Sequence, residues 1–245
     1  MRQRLGEVAT HGLHPGLLVP NASTAWSPAT RLTDGSLVPA LIETAQRRWG
    51  AQPHAAAALA WKSYTYWLAL PAVAGFVTAR RVPLLRPADV LVQVHDHQPF
   101  VTIGVRRATV AVLPSDPLAM THTPGVRVAR DEASLLGALR ATLFDAHLAP
   151  LLDQIQARLN LGRRTLLGSL ASGMAYGVLR TAPSGPAEST VDTMLALLTA
   201  LGVADLVELT PTGTGEIAIW RRTCCLAFTL PEPKVCAGCC IRPRG

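Results

Sequence analysis

Apolar residues recur along this chain with two periods, and the changes between them predict its elements. From Ser36 the positions Val38, Leu41, Ile42, Ala45 and Trp49 repeat at three and four, with Gln46, Arg47 and Arg48 beside them. This is a helical stripe that Gly50 should end. A longer helix is predicted from Pro53, which suits a first helical turn, to Ala79, with a kink near Pro71. Between Asp89 and Leu113 the period falls to two. Val90, Val92 and Val94 alternate with Leu91, Gln93 and His95, and the β-branched runs Phe100–Val105 and Thr109–Leu113 follow. Joined by Asp96-His97-Gln98-Pro99 and by Arg106-Arg107-Ala108, they read as a three-stranded antiparallel meander.

The helical period returns after a loop from Pro114 to Arg130. Asp131 is the expected N-cap of a helix with Leu135, Leu136, Leu139, Leu143 and Phe144 on one face. Pro150 should restart that helix, with Leu151, Leu152, Ile155 and Leu159 inward and Gly162 at its end. Leu166, Leu167, Leu170, Met174 and Val178 form the next stripe. Among them Gly168, Ser172, Gly173, Ala175 and Gly177 are small enough for a neighbouring helix or a ligand to come close. Thr181–Glu188, with Pro183, Gly185 and Pro186, reads as a linker before a helix capped by Ser189-x-x-Asp192, with Val191, Met194, Leu195 and Leu198 inward. Leu206–Leu209 and Ile217–Trp220 read as strands around the turn Pro211-Thr212-Gly213-Thr214-Gly215, and residues 1–35 as an irregular lead. The predicted fold is α+β and mostly helical: a helical body with a small antiparallel sheet over 1–205, then a cysteine-rich segment over 206–245.

With 245 residues, 49% of them hydrophobic, the chain can bury a large core, so disorder is not the default. Ser63–Ala79 is uncharged, but it opens on Ser63, Tyr64, Thr65 and Tyr66, carries Pro71, and is shorter than the ~20 apolar residues of a membrane span. It reads as a buried helix, so no stable membrane insertion is expected. Trp61, Tyr64, Tyr66 and Trp67 there could line a cleft that stacks on a ligand or could fill the core; the sequence leaves both open. The net charge of +7 is carried almost wholly by arginine, since Lys62 and Lys234 are the only lysines. Its basic pairs are dispersed without interleaved aromatics, which reads as a solvated face and not as a nucleic-acid platform. The first thirty residues hold no long apolar run, so a reducing, cytoplasmic setting is expected.

All five cysteines lie in the last 22 residues. Thiolates gathered in this way bind soft or borderline metals. Cys236-x-x-Cys239 is the usual bite for one metal, and Cys240 leaves a Cys236-x3-Cys240 bite open. Adjacent Cys224 and Cys225 on an extended strand would point to opposite sides. That suits a compact ion poorly and a two-iron cluster better, provided the backbone bends there. Arg221, Arg222, Lys234, Arg242 and Arg244 would favour the reduced form of such a cluster or stand as exposed tail charges. His95-x-His97, with only Asp96 beside it, reads as a surface turn. No strand-linked G-x-G-x-x-G is present, so an external electron donor is expected.

The pattern Cys-Cys-x10-Cys-x2-Cys behind Arg221-Arg222-Thr223 resembles the cluster-binding tail of the FhuF-like ferric-siderophore reductases. Weaker similarity runs through Trp61–Trp67 (WKSYTYW) and Arg164–Arg180 (RTLLGSLASGMAYGVLR). The resemblance implies a cytoplasmic 2Fe-2S oxidoreductase that gives one electron to a ferric siderophore of hydroxamate type and so releases Fe(II). The ligands it implies are Cys224, Cys225, Cys236 and Cys239, with Cys240 as the alternative to Cys239, and no catalytic residue beyond the cluster. Its expected partners are the siderophore and a ferredoxin or flavoprotein reductase, with no nucleic acid. A zinc-stabilised binding module or an iron-sulfur redox sensor would use the same cysteines.

Overall fold

A computed structural model describes residues 10–121, 123–182, 186–212 and 216–242. Its centre is the helix Pro53–Ala79 (α3), apolar on every side and buried along most of its length, as expected for a helix enclosed by its neighbours. Pro53 sits in its first turn, and the helix continues through Pro71. It stops where Arg80 takes a left-handed conformation (φ 49°) and the Arg81 N–H returns to the Gly75 carbonyl at 3.1 Å. The preceding helix, Val38–Trp49 (α2), buries Val38, Leu41, Ile42 and Ala45 and ends at Gly50 (φ 58°), both as predicted.

Arg163–Thr181 (α6) lies along α3. Its small residues permit the approach: a Cβ on Gly177 would come within 3.3 Å of Val73, and the Trp61 indole donates to the Leu166 carbonyl at 2.7 Å. Gly162 begins this helix instead of ending the previous one, because its extended backbone serves as the N-cap. Pro150 likewise restarts nothing. Helix Glu132–Leu139 (α4), capped by Asp131 as predicted, passes through π-helical turns over Arg140–Leu148 into Ala149–Gln156 (α5), and wide turns accommodate a proline without a break. Among the described residues this run, Glu132–Gln156, is the one helix long and apolar enough to cross a membrane by length and composition; half of its most apolar window is buried.

The last helix, Ala187–Ala200 (α7), starts after Pro186. The expected capping box at Ser189 therefore does not form, and the Ser189 carbonyl accepts a bond from Thr193 inside the helix. Leu197 turns inward where Leu195 was expected, and Leu195 is exposed. Pro183 and Gly185 of the linker, Gly213-Thr214-Gly215 of the last turn and Arg244 lie outside the described residues.

The strands form three small sheets. The first has the order Leu13–Leu18 (β1), Val101–Val105 (β5), Val90–Val94 (β4) and Ser27–Pro28 (β2), with β1 parallel to β5 and the other pairs antiparallel. The lead is therefore not irregular: it supplies β1, β2 and a helical turn, Thr30–Thr33 (α1). The second sheet joins Val82–Pro83 (β3), Val110–Val112 (β6) and Val126–Val128 (β7). Only the first two strands of the predicted meander pair with each other. The Arg106–Ala108 link does not reverse the chain tightly, because Arg106 N–H bonds the Asp89 carbonyl and Arg107 clamps the Asp89 carboxylate. The third strand is thereby delivered to β3, where Leu84 N–H reaches the Thr109 carbonyl. The third sheet pairs Val207–Pro211 (β8) antiparallel with Ile217–Arg221 (β9) against α6.

Candidate functional site

Strand β9 stops just short of the first cysteine, and its last residue anchors the tail to the body. Arg221 is buried, with 2% of its surface exposed; its Nη2 donates to Ser169 Oγ on α6 at 2.8 Å, and its N–H donates to the Gly238 carbonyl at 2.8 Å. Gly238 lies flat on β9, where a Cβ would collide with the Ile219 carbonyl oxygen. Beyond Arg221, Thr223 occupies the space left by Gly168 of α6. The bend on which the two-iron reading of the adjacent cysteines depends comes just after them. Leu226 is left-handed (φ 62°), and its N–H points back to Cys224 Sγ at 3.3 Å. Cys239 N–H closes a turn onto the Cys236 carbonyl at 3.1 Å.

This folding sets Cys225 and Cys239 near enough to Cys236, and Cys224 and Cys239 near enough to Cys240, for their charges to act on one another. Cys225 and Cys239 are buried, Cys224 and Cys236 half-buried, and Cys240 exposed. Burial pushes the Cys236 thiol up; Lys62 and Arg221 oppose that, and Cys239 and Cys225 reinforce it. Cys240 is pushed up in turn by burial and by Cys224 and Cys239. Among the described residues no three His, Cys, Asp or Glu side chains are already set around a single metal ion. The donor set nonetheless suits an anionic sulfur-ligated group. Leu226 N–H already faces a sulfur, and the buried Arg221 Nε–H and Thr223 hydroxyl have no hydrogen-bond partner among the described residues.

Beside the thiols a cavity of about 540 Å³ opens between α3, α6 and the tail. Helix α3 contributes Lys62, Tyr66 and Trp67, one face of the helix. From α6 come Ser169, Ser172, Gly173, Tyr176 and Arg180, and from the tail Arg221, Cys225, Lys234 and Cys236, while Trp49 closes one side. The two readings of the α3 aromatics therefore divide: Trp61 and Tyr64 are fully buried in the core, and Tyr66 and Trp67 line the cavity. Arg180 lies over the Tyr66 ring, 5.8 Å from its centroid. His95 and His97 stack on each other at 4.9 Å on the β4–β5 turn, and His95 bonds Thr102, away from these residues.

A family model described as "Ferric iron reductase FhuF-like transporter" matches residues 59–209, more than half of the chain. The chain belongs to this family. No curated protein matches it. The matched span runs from α3 to β8 and includes the cavity residues of α3 and α6, yet stops before the cysteines. The family membership thus rests on the body, where the sequence resemblance was weaker, and leaves the tail motif outside.

Lys62, Tyr176 and Arg180 were not singled out as site residues in the sequence. Two signals point to them. The chain's two lysines both line the cavity, and Ser169, Ser172, Gly173, Tyr176 and Arg180 recur at helical spacing as a second stripe beside the apolar one on α6.

Proposed function

We propose that this ferric iron reductase is a cytoplasmic ferric-siderophore reductase in which Cys224, Cys225, Cys236 and Cys239 hold a 2Fe-2S cluster. The observation that carries this reading is the position of Cys225 and Cys236, which belong both to the thiol group and to the cavity wall. When bound, such a cluster supplies a one-electron donor to an Fe(III) chelate, and the Fe(II) product prefers softer ligands and leaves an oxygen-rich chelator.

The residues of the chain supply the setting for that chemistry. Gly238 and Gly168 let the tail lie directly on β9 and α6, so the thiols are held by backbone contacts and do not hang on a free end. Arg221 and Lys62 place positive charge beside Cys236, which favours the more negative, reduced state of anything the thiols bind. Tyr66 and Trp67 offer ring faces to the apolar part of a chelator. A ferredoxin or flavoprotein reductase acts as the external donor.

Anaerobically isolated protein should contain two irons and two acid-labile sulfides per chain. It should give an EPR signal on reduction and lose it on addition of a ferric siderophore. Stoichiometric zinc without iron or sulfide would support a zinc module. Salt-sensitive DNA binding by an iron-loaded protein that no ferric siderophore reoxidises would support a sensor.

A further inference from the structure

Exposed apolar side chains gather on the tail. Eight large apolar residues stand exposed among the described residues, and three of them, Phe228, Val235 and Ile241, fall between positions 228 and 241. Scattered singly such residues need no explanation, but a gathered set marks a surface that something covers. Backbone bonds hold the set together. Lys234 N–H donates to the Ala227 carbonyl at 3.0 Å, which brings Lys234 and Val235 beside Phe228, and Arg242 Nη2 donates to the Val235 carbonyl at 3.3 Å. Arg242 N–H also closes a turn onto the Cys239 carbonyl at 3.0 Å, with Cys240 and Ile241 exposed at its tip.

The same face is positively charged. Lys234 and Arg242 are exposed and enter none of the ion pairs of the described residues, while Arg222 is paired with Glu208. Glu232 is the one carboxylate between Arg222 and Arg242. These charges argue for the occupant. A second copy of the chain, docked about a twofold axis, would set the two cations against themselves. An acidic protein complements them, covers the apolar side chains, and comes to rest on the turn that carries Cys239 and Cys240. That is where a carrier of electrons for the thiol-held centre has to stand.

Resting on the reductase reading, we propose that this face, with Phe228, Val235 and Ile241 as its apolar part and Lys234 and Arg242 as its cations, docks a small acidic electron-transfer protein. The partner gives up one electron and is oxidised by one, and the metal centre of this chain is reduced by one, with no bond made or broken. Contacts of this kind are small and transient, under about 1,200 Å² in total, a size that a few apolar side chains beside two cations suit. Lys234 and Val235 also line the cavity, so the variants that test the face are placed outside it, at Phe228, Ile241 and Arg242.

The test uses full-length protein as isolated, titrated by calorimetry with an oxidised, acidic plant-type 2Fe-2S ferredoxin and with the basic carrier cytochrome c. At about 50 mM salt the ferredoxin should bind at least about tenfold tighter than cytochrome c, and about tenfold or more of its affinity should be lost at about 300 mM salt. Arg242→Glu should weaken the ferredoxin about tenfold, and Phe228→Ser and Ile241→Ser about three- to tenfold, each with wild-type iron content. Arg127→Glu, on the exposed strand β7, should stay within about twofold. Equal binding of cytochrome c, affinity insensitive to salt, or an equal loss in Arg127→Glu overturns the proposal; the salt series needs no variant to fold. Self-association in sedimentation velocity that Ile241→Ser abolishes, or attachment to phosphatidylglycerol vesicles that displaces the ferredoxin, gives the face to another occupant and overturns it likewise. Chemically reduced protein separates the two ideas. If the ferredoxin does not bind but a ferric siderophore reoxidises the protein, the docking face falls and the reductase reading stands. If the ferredoxin binds as expected but no ferric siderophore reoxidises the protein, the reductase reading falls and the docking face stands.

Discussion

The Arg221 guanidinium donates to Ser169 Oγ at 2.8 Å, and this bond ties the strand ahead of the cysteines to the helix that forms a wall of the cavity. Arg221 is also a buried cation whose charge reaches Cys236. Arg221→Gln keeps a donor for Ser169 and removes the charge. If the thiols hold the proposed 2Fe-2S cluster, the variant's midpoint should titrate lower by tens of millivolts, on the order of 1 kcal/mol. Dye-mediated redox titration of both proteins measures it; an unchanged midpoint would mean that Arg221 only fastens the strand.

Burial favours Cys239 over Cys240 as the fourth ligand of the proposed cluster. Cys239 is buried in the turn closed on Cys236, while Cys240 is exposed. Cys224→Ser, Cys225→Ser, Cys236→Ser and Cys239→Ser should each lose most bound iron and sulfide together with the visible absorption, and Cys240→Ser should keep them. Retention in Cys239→Ser with loss in Cys240→Ser would assign the three-residue bite instead.

A second buried pair sets the response to acid. His147 Nδ1–H donates to the Leu85 carbonyl at 2.8 Å, so its neutral ring accepts at Nε2 from the Tyr64 hydroxyl at 2.6 Å. Burial pushes the His147 pKa down to about 4. The depressed folded value means that stability is complete above the unfolded pKa of about 6.5 and is lost as pH falls from there through 4, by on the order of 3 kcal/mol. Half-buried His95 shifts in the same sense, with solvent screening it. The carboxylates of Asp116 and Asp131 are held below their usual range and act only at lower pH. Urea unfolding at pH 7.5 and 4.5 should show the loss in the wild type, and His147→Leu should flatten it while lowering stability at pH 7.5 by about 1–3 kcal/mol.

Much of this was legible where local signals agreed with the packing. Gly50, Pro53 and Asp131 set helix ends by their own backbone chemistry, and each end is found where it was expected. The readings failed where a distant partner decided the outcome. Val110–Val112 looks like the third strand of a meander until Val82–Pro83 is available as its neighbour, and Leu13–Leu18 becomes a strand only because Ile103 and Val105 lie alongside. The cysteines announced themselves by clustering. The cavity beside them could not, since its walls come from helices about a hundred residues apart, and only folding places Lys62, Arg180 and Cys236 around one space.

Two glycines separate the roles of the tail and the cavity. A Cβ at Gly238 would overlap the Ile219 carbonyl oxygen, backbone that cannot swing aside, whereas a Cβ at Gly173 would meet Tyr66 at 3.6 Å, an ordinary contact on the cavity wall. Gly238→Ala must therefore lift the Cys236–Cys240 turn off β9 and break the Arg221 N–H bond to the Gly238 carbonyl. It should lower stability by about 1–3 kcal/mol and reduce bound iron severalfold, even after reconstitution. Gly173→Ala should keep full iron and wild-type stability within about 0.5 kcal/mol, because alanine also favours the helix. It should instead change the affinity for a redox-inert gallium(III) siderophore complex by narrowing the space beside Tyr66. Iron analysis, urea unfolding and calorimetry on the two variants give opposite profiles if the tail holds the metal centre and the cavity holds the chelate. Matching profiles would mean that the two sites do not divide in this way.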